Sequence, residues 1–415
     1  MKPVRLLLAA LLLSGSAQAL TLEDAIAAAR AHAPSLAEAE AMRDAASGRL
    51  SQARGARLPT LSVQGSAGFG RLDAQGYFGL GNAAQTPLSA QASLEAPLYT
   101  GGRLAAANAR ARAGLEASEA SAAMAVASLA ADVASAYGAV LASETMVEAY
   151  ARALTQMTEI DRQANLRFEA GEAPSTEVAQ AAARLAEARG GLAGAEGARA
   201  AAQARFVALT GLAPAGLAPI PQGPDAPASL DEALARARAN SPVIAAASAA
   251  LEAARAATRG ARAERLPSVG AFAEAGIVRD QFFPDYSINS ATVGVRARWT
   301  LFNGQTNGKV AEMSAEARAA EARLRTARAM VEEQVTTLHQ GVLTTRLMAS
   351  AAEAQAIASE AARASTAHEV RTGLKPQLAL LDAEREALIA QARAAEARSA
   401  RAATAYRLQA LLGPE

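Results

Sequence analysis

Side chains able to do acid-base, nucleophilic or metal chemistry are scarce in this sequence, and those present are poorly spaced for it. Cysteine is absent, which excludes thiol catalysis, disulfide frameworks and thiolate zinc sites. The three histidines, His32, His339 and His368, never fall within one helical turn of each other, so no pair has ligand spacing. Adjacent carboxylates occur at Glu23 with Asp24 and at Glu332 with Glu333. The first pair reads as a helix cap and the second as a solvated face, and neither has a convergent His, Ser or Lys for general acid-base work. Gly190, Gly191, Gly194 and Gly197 are close together, but a phosphate loop needs a preceding strand and a following Lys-Ser/Thr, and both are missing. These glycines fit a close helix-helix seam instead. The sequence therefore predicts no enzyme, no cofactor and no metal site.

The charges point the same way. Forty-one basic residues, nearly all arginine, face 40 acidic ones, and the formal net charge is +1. The two signs are interleaved along the chain, so a clustered basic surface for nucleic acid is not expected. At the N-terminus Lys2 and Arg5 precede the apolar run Leu6 to Leu13, and Ala17-Gln18-Ala19 supplies a small-x-small site. This pattern is a secretory signal peptide, 1–19, cleaved after Ala19. No cysteine follows to accept a lipid, so the mature chain is expected to leave the cytoplasm without an anchor. The longest charge-free stretches, Ala74 to Leu94 and Phe206 to Pro224, are broken by polar residues, Gly or Pro. Any membrane insertion is thus expected to use strands rather than a helix.

The elements that position these residues are written twice. Thr21-Leu22-Glu23-Asp24-Ala25-Ile26 recurs as Ser229-Leu230-Asp231-Glu232-Ala233-Leu234, Pro34 as Pro242, and Leu58-Pro59 as Leu266-Pro267, always 208 positions apart. Leu98-Tyr99-Thr100-Gly101 is matched by Leu301-Phe302-Asn303-Gly304, Gly171-x-x-Pro174 by Gly373-x-x-Pro376, and Leu209-Thr210-Gly211 by Leu411-Leu412-Gly413. This order of landmarks implies an internal duplication, residues 20–211 and 229–415, joined by a Pro/Gly/Ala-rich linker at 212–228.

Each copy opens with a capping-box pattern and a helix of about 36 residues that ends before Leu-Pro. A β-hairpin follows, 59–100 in the first copy and 267–303 in the second. Leu61, Val63, Gly65, Ala67 and Phe69 alternate with small or polar residues, as do Leu88, Ala90, Ala92, Leu94, Ala96 and Leu98. The second hairpin comprises Val269 to Ile277 and Ala291 to Leu301, with Arg296 and Arg298 on the polar phase. Most aromatic residues, including Tyr77, Phe78, Phe282, Phe283, Tyr286, Trp299 and Phe302, fall in or beside the hairpins. Helix then resumes for about 65 residues, on the order of 100 Å. The chain turns at Gly171 and Gly373, and a returning helix of about 37 residues stops at Gly211 and Gly413.

Strands of about ten residues, apolar outward and polar inward with flanking aromatics, fit an outer-membrane barrel, yet four strands cannot close one. Several copies must share it, and three would supply twelve strands. The signal peptide, the Leu-Pro, the strand hairpin, the Leu-Tyr/Phe-x-Gly landmark and the Phe168-x-x-Gly171-x-x-Pro174 turn, repeated as Val370-x-x-Gly373-x-x-Pro376, together resemble the TolC family of outer-membrane efflux and secretion channels. The resemblance covers essentially the whole mature chain. It implies a mainly α fold with a membrane β portion: a TolC-like α-barrel plus a trimeric 12-stranded β-barrel, four strands per chain.

The resemblance further implies a passive exit duct of a tripartite efflux pump or type I secretion system, located in the outer membrane and extending into the periplasm. Its implied partners are two further copies in a homotrimer, outer-membrane lipid, a periplasmic adaptor protein and an inner-membrane pump or ABC transporter. Adaptor docking would fall on the two tips, Phe168 to Ser175 and Val370 to Gln377, with Phe168, Gly171, Pro174, Val370, Gly373 and Pro376 as the site residues. The family's paired acidic positions on the helix returning from the second tip fall here on Ala379 and Asp382, and the equivalent first-copy positions are Glu177 and Gln180. Asp382 is therefore the candidate pore constriction and Glu177 the next. The rival reading is a periplasmic coiled-coil adaptor protein, which by resemblance carries one helical hairpin in a lipoyl-like β-domain rather than two hairpins with membrane-type strands.

Overall fold

The computed structural model describes residues 19–72, 83–281 and 285–413. In chain order the elements are α1 (Leu22–His32), α2 (Pro34–Gly55), β1 (Thr60–Ala67), β2 (Gly70–Leu72), β3 (Ala83–Gln85), β4 (Leu88–Tyr99), α3 (Arg103–Glu169) and α4 (Ser175–Thr210). The second half continues as α5 (Leu230–Asn240), α6 (Pro242–Ala263), β5 (Ser268–Arg279), β6 (Ser287–Arg298), α7 (Gly304–Arg371) and α8 (Gln377–Leu412). The signal segment before Ala19, and Tyr77, Phe78, Phe282 and Phe283, lie outside the described residues.

The single opening helix expected in each copy is in fact two. Thr21 Oγ1 accepts a hydrogen bond from the Asp24 N–H, and the Asp24 carboxylate accepts one from the Thr21 N–H, both at 3.2 Å. This capping box starts α1, which stops after 11 residues at Ala33, held extended at φ −67°, ψ 118°. The cause is Pro34: its ring disfavours helical geometry in the preceding residue, and it has no N–H to continue the ladder. The same ring suits the first position of a new helix, so α2 restarts there for 22 residues. Ser241, at φ −62° and ψ 123° before Pro242, repeats the break.

The chain forms two compact units. One comprises the segment up to Ala37, Ala123–Ser241 and the segment from Val331 onward. Its core places Leu22 and Ala25 of α1 against Leu129, Val133, Tyr137 and Val140 of α3 and Phe206 of α4. The Tyr137 and Phe206 rings meet edge to face, 6.2 Å between centroids. A second cluster joins Met157 and Ile160 of α3 to Leu185 of α4 and Leu381 of α8. Part of α3 is long and apolar enough to cross a membrane by length and composition, which counting charge-free runs misses; 44% of that window is buried, and the neighbouring Leu129, Val133, Tyr137 and Val140 are core residues. The linker is strapped onto this unit: Leu20 donates to Gly216 O and accepts from Ala218 N–H at 3.1 and 2.9 Å, while the Tyr137 hydroxyl lies 2.7 Å from Leu20 O and 2.6 Å from Ala218 O.

Close helix approach occurs in this unit, but only partly where the glycine run predicts it. A Cβ at Gly191 would collide with the Tyr150 ring, whereas Gly190, Gly194 and Gly197 face nothing within 4 Å. Within the helices of this unit, Gly138 is also tight, against Ser399. An isolated glycine in a long alanine-rich helix gives no sequence signal of that kind.

The other unit, Glu38–Ala122 with Pro242–Met330, holds the sheet. Four antiparallel strands run in the order β1-β4-β5-β6. Each hairpin pairs as its alternation predicts, and the two copies join through β4 and β5. β2 and β3 form a separate short pair. The last strand occupies Ser287–Arg298 rather than reaching Leu301.

Candidate functional site

The alternation in all four strands is in phase across the sheet. Val63 sits opposite Ala92, Ala92 opposite Ala275, and Ala275 opposite Ala291; Leu61, Leu94, Ala273 and Val293 form the next apolar row. Because side chains alternate with period two, this register puts one apolar face on the whole sheet. That face is open: Val63 is 75% and Val293 83% exposed. The opposite face is polar and internally bonded. Ser62 and Ser93 are 2.7 Å apart, Ser66 and Ser89 2.8 Å, and Arg296 reaches Glu274 at 3.0 Å while lying over the Phe272 ring at 4.5 Å. Leu98, Trp299, Leu301 and Phe302 are exposed at the ends nearest the helices, with Trp299 Nε1 donating to Arg265 O at 3.1 Å.

The helices return through two equivalent turns. Glu172 N–H bonds Arg167 O at 2.8 Å and Gly171 N–H bonds Phe168 O at 2.9 Å; Leu374 to Glu369 and Gly373 to Val370 repeat this at 2.8 and 3.0 Å. These are Schellman closures, which need a left-handed residue at the glycine position. Gly171 and Gly373 have φ of 78° and 76°, with nothing within 4 Å of an added Cβ, so their requirement is conformational and not steric crowding. Pro174 and Pro376 are extended residues that cap α4 and α8. Phe168 and Leu374 are exposed at 48% and 77%, giving each turn an apolar side chain at its surface. Each turn is also bridged by an ion pair, Arg167 to Glu177 at 2.6 Å and Lys375 to Glu369 at 2.7 Å.

Asp382 and Glu177 are thus in different situations. Asp382 is exposed and, among the described residues, has no ion pair. Glu177 is half-buried and held by Arg167. Two residues further along α8, Glu384 joins a network that sequence spacing does not reveal. Arg363 bonds Glu360 at 2.7 Å and Glu384 at 3.0 Å, Gln391 Nε2 reaches Glu360 at 3.4 Å, and Arg152 donates to Gln391 Oε1 at 3.1 Å. Hydrogen bonds from Arg363 hold the Glu360 carboxyl below its ordinary range. Glu360 and Arg363 are one turn apart on α7, and the other members converge through helix packing. Glu332, expected on a solvated face, pairs with Arg238 at 2.8 Å, and His339 is buried with Nε2 3.1 Å from Pro227 O.

A sheet with one open apolar face, attached to paired helices that reverse at exposed turns, defines a channel-forming outer-membrane protein. The chain matches the outer membrane efflux protein family over residues 25–212 and again over 233–414, and it belongs to that family. Solved structures with the same fold include a membrane protein from Pseudomonas aeruginosa, 20% identical, with a TM-score of 0.81 over 94% of this chain and 90% of that one. VceC, an outer membrane protein of Vibrio cholerae, is 21% identical with a TM-score of 0.78 over 94% and 96% of the two chains. The MtrE outer membrane channel of Neisseria gonorrhoeae, solved in its open state, is 23% identical with a TM-score of 0.77 over 94% and 89%. No curated protein sequence gives a significant match. The fold is TolC-like and internally duplicated, and the protein is an outer-membrane efflux channel; the adaptor reading is not favoured.

Proposed function

We propose that the mature chain, released by cleavage after Ala19, assembles as a homotrimer and serves as a passive exit duct across the outer membrane and periplasm. The repeats 20–211 and 229–415 each contribute two strands to a shared twelve-stranded barrel, and the linker 212–228 joins them. The observation that carries this reading is the sheet. Four in-register strands present one apolar face and leave β1 and β6 unpaired at the edges, a surface that lipid and two further copies would cover. The chain catalyses no reaction; an inner-membrane pump or ABC transporter supplies the energy through a periplasmic adaptor.

The adaptor docks at the two tips, on Phe168, Gly171, Pro174, Val370, Gly373 and Pro376. The matching backbone geometry of Gly171 and Gly373 and the exposed side chains of Phe168 and Leu374 support this assignment. Replacing Gly171 and Gly373 together with Val forces a β-branched residue into left-handed geometry, at about 1–2 kcal/mol per site. The expected result is reduced adaptor pull-down and reduced efflux with trimers intact. Unchanged pull-down and efflux from intact trimers would contradict tip docking.

A further inference from the structure

Where the helices leave the sheet, α2, α3, α6 and α7 line a single groove of about 570 Å³. These helices join β1, β4, β5 and β6 through short links, so they follow the strand order. In the duct reading, the groove lies on the concave side of this helix layer. If the layer closes on itself, as the duct reading on which this inference rests requires, that side is the lumen.

The groove is lined by two kinds of residue. Most are alanine or glycine, including Ala106, Ala257 and Gly260. The charged ones are Arg49, Arg103, Arg110 and Lys309 against one carboxylate, Glu264, and Lys309 is bonded to Glu264. Among the described residues, Arg49, Arg103 and Arg110 have no ion pair or side-chain hydrogen bond. The arginines lining two cavities among α3, α4, α7 and α8 are engaged: Arg152 with Gln391, Arg363 with Glu360 and Glu384, and Arg184 and Arg385 with Glu187. The lining therefore includes three guanidinium groups with no partner among the described residues, beside small apolar side chains, in a chain whose net charge is only +1. The interleaving of charges in the sequence hides this, because the three arginines come from two helices separated by the first hairpin.

We propose that this groove binds amphipathic anions: small molecules with an aryl or alkyl body and one carboxylate, sulfonate or phosphate. The body lies on the alanine lining, where removing apolar area from water drives binding. The anionic group takes charge-assisted bonds from the guanidinium forks, whose planar geometry matches oxyanions. Three such grooves around one duct would raise the local concentration of anionic cargo and discriminate against cationic cargo.

The test uses the mature chain purified in an uncharged detergent and titrated calorimetrically with 2-naphthalenesulfonate. The control is 2-naphthyltrimethylammonium, which has the same body and the opposite charge. Saturable sulfonate binding at one site per chain is expected, with no ammonium binding. Affinity should fall at least about ten-fold in Arg49→Gln/Arg103→Gln/Arg110→Gln. Ala257→Leu, which fills the groove and keeps every charge, should also weaken binding, as should the single variant Arg103→Gln, and these carry the test if the triple variant does not fold. Equal affinity in wild type and the variants, or equally tight binding of the ammonium, would overturn the proposal. Trimerisation and envelope location of the same protein decide the duct reading separately, so the two failures are distinguishable.

Discussion

Tyr137 shows how one buried side chain ties distant segments together. Its hydroxyl proton serves two carbonyls, Leu20 O and Ala218 O, at 2.7 and 2.6 Å, and burial pushes its pKa up to about 12. Tyr137→Phe leaves those carbonyls with one partner fewer and should cost about 1–3 kcal/mol, read as a lower unfolding temperature in detergent. The folded pKa lies above the ordinary value of 10.0. The stability this group contributes is thus complete below pH 10 and lost as pH rises through about 12. Wild type should converge on Tyr137→Phe over that interval, and parallel curves would contradict the assignment. Asp382 belongs to the same scale. Three such carboxylates close to a trimer axis would hold cations, so Asp382→Asn should weaken block by hexamminecobalt(III) in planar bilayers by about ten-fold. Unchanged block would move the constriction elsewhere. Asp382 enters only through the family resemblance, whereas Tyr137 and the Arg363 network have no signal in the sequence, since their partners are brought together only by helices packing across long sequence separations.

Elements were legible where a local rule acts alone. The Schellman turns follow from Gly171 and Gly373, and the strands from period-two alternation. The break at Pro34 was missed because the apolar pattern continues through it, although the proline's own stereochemistry decides the matter. The β4–β5 pairing between copies carries no local signal at all. The strand phase makes a sharp prediction. Arginine at Ala92 or Val295, on the open apolar face, should cost about 2–4 kcal/mol at mid-bilayer and abolish recovery of folded protein from the outer membrane. Arginine at Gln91, on the face that already carries Arg296, should be tolerated. Similar recovery for both faces would mean that the apolar face does not meet lipid.

At the scale of the whole molecule, duplication explains why one chain suffices for neither half of the structure. Two copies give four strands and two unpaired edges, below the eight at which single-chain barrels begin. The absence of cysteine provides a clean reporter for how those edges are satisfied. Cysteines introduced together at Ser62 on β1 and Thr292 on β6, bridged by a short bismaleimide in intact envelopes, test whether β6 of one copy lies beside β1 of the next. The account predicts a cross-linked ladder ending at three chains and confined to the outer-membrane fraction. A soluble periplasmic monomer, or a ladder ending at any other number, would contradict it.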